Sequence, residues 1–362
     1  MADFPTTPAA VEARWLEAKL RDAGLLGDAH ITDISWVAIG TGQVGDTARF
    51  TIRYDRDGAG PATVAAKFAS SDPTSRGTAA MFGLYRKEVS FYRELAPLID
   101  TRTPRTYAGE VSEDGSDFVL LFEDLGPCQG GNQLAGCTIE EARHGVMQAA
   151  ALHAPTYCNP VYTQAAWPQG VEGIGVRMAE LYPKAQAIFR ERYDGLLEPE
   201  LMQVCEDLNA LIAPYYLREP REVSITHGDF RLDNMLFDVC GGTDPVAIVD
   251  WQTTVPDCPL KDIGYLLGCG IGSALRRPYE DELLDLYCAE MNRRGVPFTR
   301  EGIWDRYRVG ALHGVATAVF SAAFVVRTER GDANFLSMAR NSCELCLDHD
   351  SIGALRHVLE IA

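Results

Sequence analysis

The 362-residue chain is short of several things, and each shortage excludes something. Its longest apolar run, GALHGVATAVFSAAFVV at 310–326, is interrupted by His313. It falls below the ~20 residues that a bilayer-spanning helix needs, so a buried helix is expected there and no membrane segment. Basic residues are in deficit: Lys plus Arg number 33 against 51 Asp plus Glu, a formal charge of −18. That balance argues against nucleic acid and anionic membrane surfaces as partners, since both reward basic patches. The acidic excess is spread along the chain, and it fits general solubility as readily as a cleft that draws cations. No internal repeat or low-complexity tract interrupts the sequence. The opening MADFPTTPAA has neither the basic n-region nor the apolar core of a secretory signal.

Cysteine is present, ten times over, but scattered. Without a secretory signal, reduced thiols in a cytoplasmic protein are the expectation. Cys343, Cys346 and His349 in CELCLDHD come nearest to a metal pattern. Zinc would want a fourth ligand and a second paired element, so the i, i+3 cysteines read as helix packing.

The periodicity changes along the chain. PAAVEARWLEAKLRDAG (8–24) sets Val11, Trp15, Leu16 and Leu20 on one helical face, with Gly24 as a stop. From about 30 to 70 the period is two: ITDISWVAI, ARFTIRYD and PATVAAKF read as strands, with DRDGAGP as a turn. A helix is predicted over 76–96, closed by Pro97, and then the strands TYAGEVS and DFVLLFEDL. Beyond Gly126-Pro127 the pattern is mainly helical, apart from short strands around 225–252. No Ser/Gly-rich linker marks the change, which suggests two lobes about one cleft, a favoured place for a ligand.

Gly40, Gly42 and Gly45 spell G-x-G-x-x-G. A dinucleotide site would need a helix straight after them, but the alternation of Ala48, Phe50, Ile52 and Tyr54 is that of a strand, which argues against an oxidoreductase. Strand, glycine loop, strand is the layout that covers ATP phosphates in kinases; a plain hairpin turn is the competing reading. Lys67 ends the apolar strand TVAAKF, where an unpaired cation would be costly. Glu88, in the helix YRKEVSFY, is its natural partner, although an ordinary solvated helix charge would look the same. His227-Gly228-Asp229 and Asn234 place a carboxylate and an amide in one short loop, in ITHGDFRLDNMLFD. Phosphoryl transfer to a hydroxyl needs a base for the nucleophile's proton, which suits Asp229. It also needs oxygen ligands for Mg²⁺, which suits Asn234 and Asp250, the latter emerging from the apolar strand Val246 to Val249.

HGDFRLDNMLF followed by IVDWQ resembles the aminoglycoside phosphotransferase and choline kinase superfamily, which shares the protein-kinase-like fold. KFASSDPTSRGTAAMFGLYRKEVSFYREL and Gln252 of DWQ are most similar to its ecdysteroid-kinase-like branch. The resemblance runs from about Gly40 to at least Leu267, with VLLFEDL as the hinge and DIGYLL after the metal aspartate. It implies an α+β, two-lobed fold: an N-lobe of antiparallel sheet plus helix over 1–125, and a larger, mainly helical C-lobe over 126–362. It also implies ATP and Mg²⁺ as cofactors, Asp229 as catalytic base, and Asn234 and Asp250 as metal ligands. Lys67, backed by Glu88, would hold the phosphates under the Gly40, Gly42 and Gly45 loop, and backbone groups around Phe122, Glu123 and Asp124 would meet the adenine. His227 would brace the loop and Asp262 would anchor it. Arg231 has two readings: neutralising the moving phosphoryl, where protein kinases carry a Lys, or pairing with Asp233.

Two departures stand out. Trp251-Gln252 replaces the Phe-Gly of protein kinases, with no A-P-E motif after it, so neither a flipping activation segment nor a protein substrate is expected. Asp257-Cys258-Pro259 stands where relatives often show Gly-Asp-Pro. The expected function is ATP-dependent phosphorylation of a small-molecule hydroxyl. The alternative is a pseudokinase-like module that binds nucleotide without turnover, against which the filled base, metal and lysine positions speak. No motif in 127–220 or 260–362, where the acceptor should bind, names a compound, and the oligomeric state is left open.

Overall fold

Five antiparallel strands carry out the period-two pattern of the N-terminal third. In the computed structural model, which describes residues 3–40, 44–169, 173–325 and 327–361, they are β1 (Ile31–Ile39), β2 (Gly45–Tyr54), β3 (Thr63–Ala69), β4 (Thr106–Val111) and β5 (Phe118–Glu123). Their order in the sheet is β1-β2-β3-β5-β4. Alternation sends Phe50, Ile52, Val64, Ala66, Phe68, Val119 and Leu121 to one face. There they pack on Leu16 and Leu20 of α1 (Ala13–Asp22), the amphipathic helix that the sequence predicts. Lys67, between Ala66 and Phe68, therefore points to the opposite face.

The helix predicted over 76–96 is broken. Gly83, at φ 65°, separates α2 (Pro73–Met81) from α3 (Leu84–Ser90), and a wider turn continues α3 through Phe91–Leu95. The break turns α3 so that Tyr85, Glu88 and Val89 are buried against the sheet, with Leu120 and Phe122 in the same apolar cluster as Tyr85 and Val89.

After β5 the chain is mostly helical: α4 (Ile139–Thr156), α5 (Ile174–Tyr193), α6 (Pro199–Ala210), α7 (Leu260–Tyr265), α8 (Ser273–Arg293), α9 (Arg300–Phe324), α10 (Glu329–Asp348) and α11 (Ser351–Val358). Residues 310–324 of the apolar run form the C-terminal part of α9, with Leu312, Val315 and Val319 wholly buried. No helix among the described residues is long and apolar enough to cross a membrane. Cys343 and Cys346 are buried in α10, Cys343 Sγ lying 3.7 Å from Cys205 Sγ, while His349 turns to Glu280. The two cysteines pack in the core; among the described residues no group of three or more His, Cys, Asp or Glu is set to hold a metal ion.

Short strands frame the polar loop. β6 (Gln129–Gly130), β8 (Met235–Asp238) and β9 (Asp244–Ile248) form one small sheet, and β7 (Ser224–Thr226) pairs with β10 (Val255–Asp257). The loop at 227–234 joins β7 to β8, and Asp250 follows β9. β6 and β10 extend the strand content beyond the predicted 225–252. Ile225, Phe230, Leu232, Met235 and Phe237 are buried, pinning the loop at both ends and in its middle.

Candidate active site

The loop backbone is held from beneath. Asp262 of α7, fully buried, accepts from His227 N (2.7 Å) and Gly228 N (3.0 Å), while His153 Nε2 of α4 lies 3.1 Å away. Burial opposes its charge, but His153, His227 and these N–H groups hold the carboxyl below its ordinary range. Asp262 thus anchors the loop, the place expected of it. His227 braces it too: Nε2 donates to the Val249 carbonyl at 3.0 Å, and Nδ1 accepts from Asp229 N at 3.2 Å. One neutral tautomer satisfies both bonds. Gly228 sits at φ 81°, and a Cβ there would fall 2.6 Å from the Thr253 carbonyl oxygen, so only glycine fits this bend.

Asp229 stands at the loop's exposed edge with three donors on its carboxylate. Tyr265 Oη (2.9 Å) and Arg231 Nε (3.0 Å) share Oδ1, and Asn234 Nδ2 takes Oδ2 (2.7 Å). Asn234 spends its amide N–H groups on Asp229, at Oδ2 and at the backbone carbonyl (2.8 Å), which leaves its carbonyl oxygen for another partner. Arg231 reaches two carboxylates, Asp229 and also Asp233, the pairing that one of its two readings expected, with Nη1 2.7 Å from Asp233 Oδ2. Its Nη2 has no protein acceptor among the described residues. Burial works against its charge, but Asp229 and Asp233 hold the guanidinium firmly protonated.

Opposite lies the strand lysine. Lys67 Nζ is 2.8 Å from each oxygen of Glu88 and 2.8 Å from Asp250 Oδ1. Glu88 is 1 % exposed, so it is not a solvated helix charge. Burial alone would lower the lysine, but Asp250 and Glu88 outweigh it and keep the ammonium charged. Burial likewise raises Glu88 against the pull of Lys67. Asp250, despite its own desolvation, is held below its usual range, mainly by Lys67. Its backbone is left-handed (φ 67°, ψ 63°), a costly conformation for a non-glycine residue and one that clusters at functional sites. The following Trp251 is wedged: its ring stacks on Phe91 at 4.0 Å and lies 4.6 Å from His227.

Of the glycine loop, Gly40 is at φ 76° and Gly45 opens β2. A Cβ on Gly45 would sit 3.1 Å from Lys67 Cε. Gly42 lies outside the described residues. At the hinge, Phe122 is inside β5 between β3 and β4, and the Glu123 N–H is already taken by the Arg105 carbonyl (2.9 Å). The Glu123 carboxylate pairs with Arg102, and Asp124 pairs with Arg49 at 2.7 Å. Of the three hinge residues, Glu123 therefore has no backbone N–H to offer a base, and the side chains of Glu123 and Asp124 serve the ion pairs.

Hard oxygen donors at Asn234 and Asp250, beside a lysine on the sheet, fit a Mg²⁺-nucleotide. Mg²⁺ keeps few protein ligands and takes the rest of its shell from phosphates and water, so two protein oxygens would suffice.

The model of the phosphotransferase enzyme family matches residues 76–301, and the chain belongs to that family. It is 21 % identical over 220 residues to Acyl-CoA dehydrogenase family member 11 of Gallus gallus, covering 51 % of this chain and 27 % of that protein. The chain thus spans about a quarter of the length of the curated relative it matches. Among solved structures it is similar to a microcompartment-associated aminopropanol kinase (TM-score 0.54, 16 % identity, 95 % of this chain and 99 % of that one). It is also similar to the GDP complex of an aminoglycoside 2'-phosphotransferase-IIIa (TM-score 0.53, 14 % identity, 92 % and 99 %). At such identities the likeness is one of fold: α+β, two-lobed and protein-kinase-like.

Two site residues escape the sequence reading. Tyr265 reaches Asp229, and His313 Nε2 lies 2.8 Å from the Gly228 carbonyl oxygen. For His313 the signal was there, the one titratable side chain in the apolar run 310–326.

Proposed function

We propose that the chain is an ATP-dependent small-molecule kinase that moves the γ-phosphoryl of ATP to an acceptor hydroxyl, with residues 1–125 and 126–362 as its two lobes. The observation that carries this reading is the convergence, in one place, of Lys67 with Glu88 and Asp250, and of Asp229 with Asn234. Lys67 holds the α- and β-phosphates. Asn234, through its carbonyl oxygen, and Asp250 hold Mg²⁺, which when bound neutralises charge on the phosphates. Asp229 orients the acceptor hydroxyl and takes its proton as the oxygen bonds to the γ-phosphorus; the bond from that phosphorus to the bridging oxygen breaks, and ADP leaves. Arg231, tethered to Asp229 and Asp233, offers Nη2 to the transferring group. Catalysis is thus positioning and charge neutralisation, with no covalent participation by the protein. The Gln252 of DWQ favours the ecdysteroid-kinase-like branch, and a cytoplasmic site of action fits ATP as donor.

The test is incubation with Mg-ATP and a panel of sterol-like alcohols, aminoglycosides and amino alcohols, with products read by mass. One panel member is expected to gain a phosphoryl group. Asp229→Asn should cut that rate by ~10²–10⁴ while Mg-ATP still binds. Full activity in the variant would remove Asp229 from its role. Binding of Mg-ATP without any product across the panel would favour a nucleotide-binding module instead.

A further inference from the structure

Helices α7 and α9 touch backbone to backbone. A Cβ on Gly310 would fall 2.3 Å from the Leu260 carbonyl oxygen, and one on Gly264 would fall 2.6 Å from Ala311 N. One turn beyond Gly310, a Cβ on Gly314 would meet Ser342 Oγ of α10 at 2.2 Å and, less closely, Tyr265 Cδ2 at 3.3 Å. Gly264 and Gly310 thus let the end of α7 lie against α9, and they bring Tyr265 and His313 edge to face, ring centroids 5.2 Å apart, beneath the 227–234 loop. Each then meets a different part of that loop: Tyr265 Oη donates to Asp229 Oδ1 (2.9 Å), and His313 Nε2 lies 2.8 Å from the Gly228 carbonyl oxygen.

Both contacts have a fixed polarity. A carbonyl only accepts, so His313 Nε2 carries the hydrogen. Burial and nearby Lys261 hold the imidazole below its ordinary pKa, which keeps it neutral. Tyr265 is fully buried; burial and the charge of Asp229 push its phenol up, so it remains a donor. A carboxylate has about four lone-pair sites. Tyr265 and Arg231 fill the two on Asp229 Oδ1, and Asn234 fills one on Oδ2. A single site is left, on Oδ2.

We infer that Tyr265 and His313 are positioning residues for Asp229: the phenol saturates Oδ1 and fixes the carboxylate's rotation so that Oδ2 receives the acceptor's proton, and the imidazole fixes the Gly228 peptide on which Asp229 is mounted. The inference rests on Asp229 being the base. Both act through the loop: the contacts that carry the inference are to Asp229 and to the Gly228 peptide.

Tyr265→Phe keeps the ring packing and removes only the donor. It is expected to retain wild-type thermal stability and to bind Mg-ATP within about twofold. Its kcat for ADP release, with the acceptor identified by the panel or with water, should fall by about ten- to a hundredfold, as a misdirected reacting group would cost. In the variant's crystal structure the Asp229 carboxylate should be rotated. For His313, Gln keeps a donor for the Gly228 carbonyl and should rescue the turnover that His313→Leu loses, with KM for Mg-ATP unchanged in both. Unchanged kcat in Tyr265→Phe would overturn the inference. If the wild type turns nothing over, the kinase reading has failed separately, and an unrotated Asp229 in the Tyr265→Phe crystal structure would overturn the positioning role by itself.

Discussion

Lys67 Nζ lies 2.8 Å from Asp250 Oδ1, 183 positions further along the chain, while it also holds Glu88. One cation serves two carboxylates on opposite sides of the site. Removing it strands Glu88, which has almost no access to water. Breaking a buried pair in this way costs about 3–5 kcal/mol. Lys67→Met is therefore expected to lower stability to urea by about 3 kcal/mol, near the low end because Glu88 already leans toward its protonated form. Adding Glu88→Gln should return part of the stability and none of the activity. A double variant no more stable than the single one would count against a shared cation.

The same contact bears on metal dependence. On the proposed mechanism Asp250 also ligates the cation that arrives with the nucleotide, and an amide at this position would be a weaker ligand. In Asp250→Asn the tightening of ATP binding by Mg²⁺ should shrink by about ten- to a hundredfold, at least what the loss of an outer-shell partner costs a metal site. Calorimetric titration with ATP, once with Mg²⁺ and once with a chelator, measures it. Equal tightening in variant and wild type would take Asp250 out of the metal site.

The close seat of α7 on α9 predicts an intolerance. A methyl group at Gly310 has no flexible side chain to push aside, only the Leu260 carbonyl and Lys261 N, 3.1 Å away. Alanine is the better helix former, so propensity alone favours Gly310→Ala by about 1 kcal/mol. Overpacking against backbone typically costs about 1–3 kcal/mol and should prevail. Net destabilisation in urea unfolding is the expected outcome, with a loss of turnover larger than that at a buried site remote from α7. A stabilised variant would show that the helices can part without consequence.

The strand lysine, the helix glutamate and the Asp229–Asn234 loop were legible because local pattern fixes their neighbourhood. Alternation puts Lys67 on the face away from α1, and apolar residues on both sides pin the loop. The apolar strand before Asp250 announces a carboxylate at the edge of the core. What the letters did not show depends on tertiary contact. The break at Gly83 was hidden in an otherwise helical pattern, and glycine inside a helix is tolerated often enough to mislead. The Glu123 N–H is consumed by Arg105, whose carbonyl comes from the approach to β4. Tyr265 and His313 lie 36 and 85 positions from their partners in the loop and meet them only because glycines let two helices touch. Of the two readings of Arg231, the pairing with Asp233 is present, and the same guanidinium has donors enough to reach Asp229 as well; the phosphoryl role belongs to the proposed mechanism.

Lys87, next to Glu88 on α3, is the one lysine whose burial is not matched by a carboxylate within salt-bridge distance among the described residues. Desolvation pulls its ammonium down from 10.5 to about 8. The unfolded chain holds that proton more tightly, so the group penalises folding below pH 8, and the penalty fades as pH rises through 8 toward 10.5. A shift of that size corresponds to about 3 kcal/mol at full effect. Lys87→Met keeps the aliphatic stem and removes the charge. It is expected to raise stability by about 1–3 kcal/mol at pH 7, with the gain shrinking toward pH 10. Urea unfolding of both proteins at the two pH values decides it: a gain of the same size at each would mean that packing, not a desolvated ammonium, accounts for the difference.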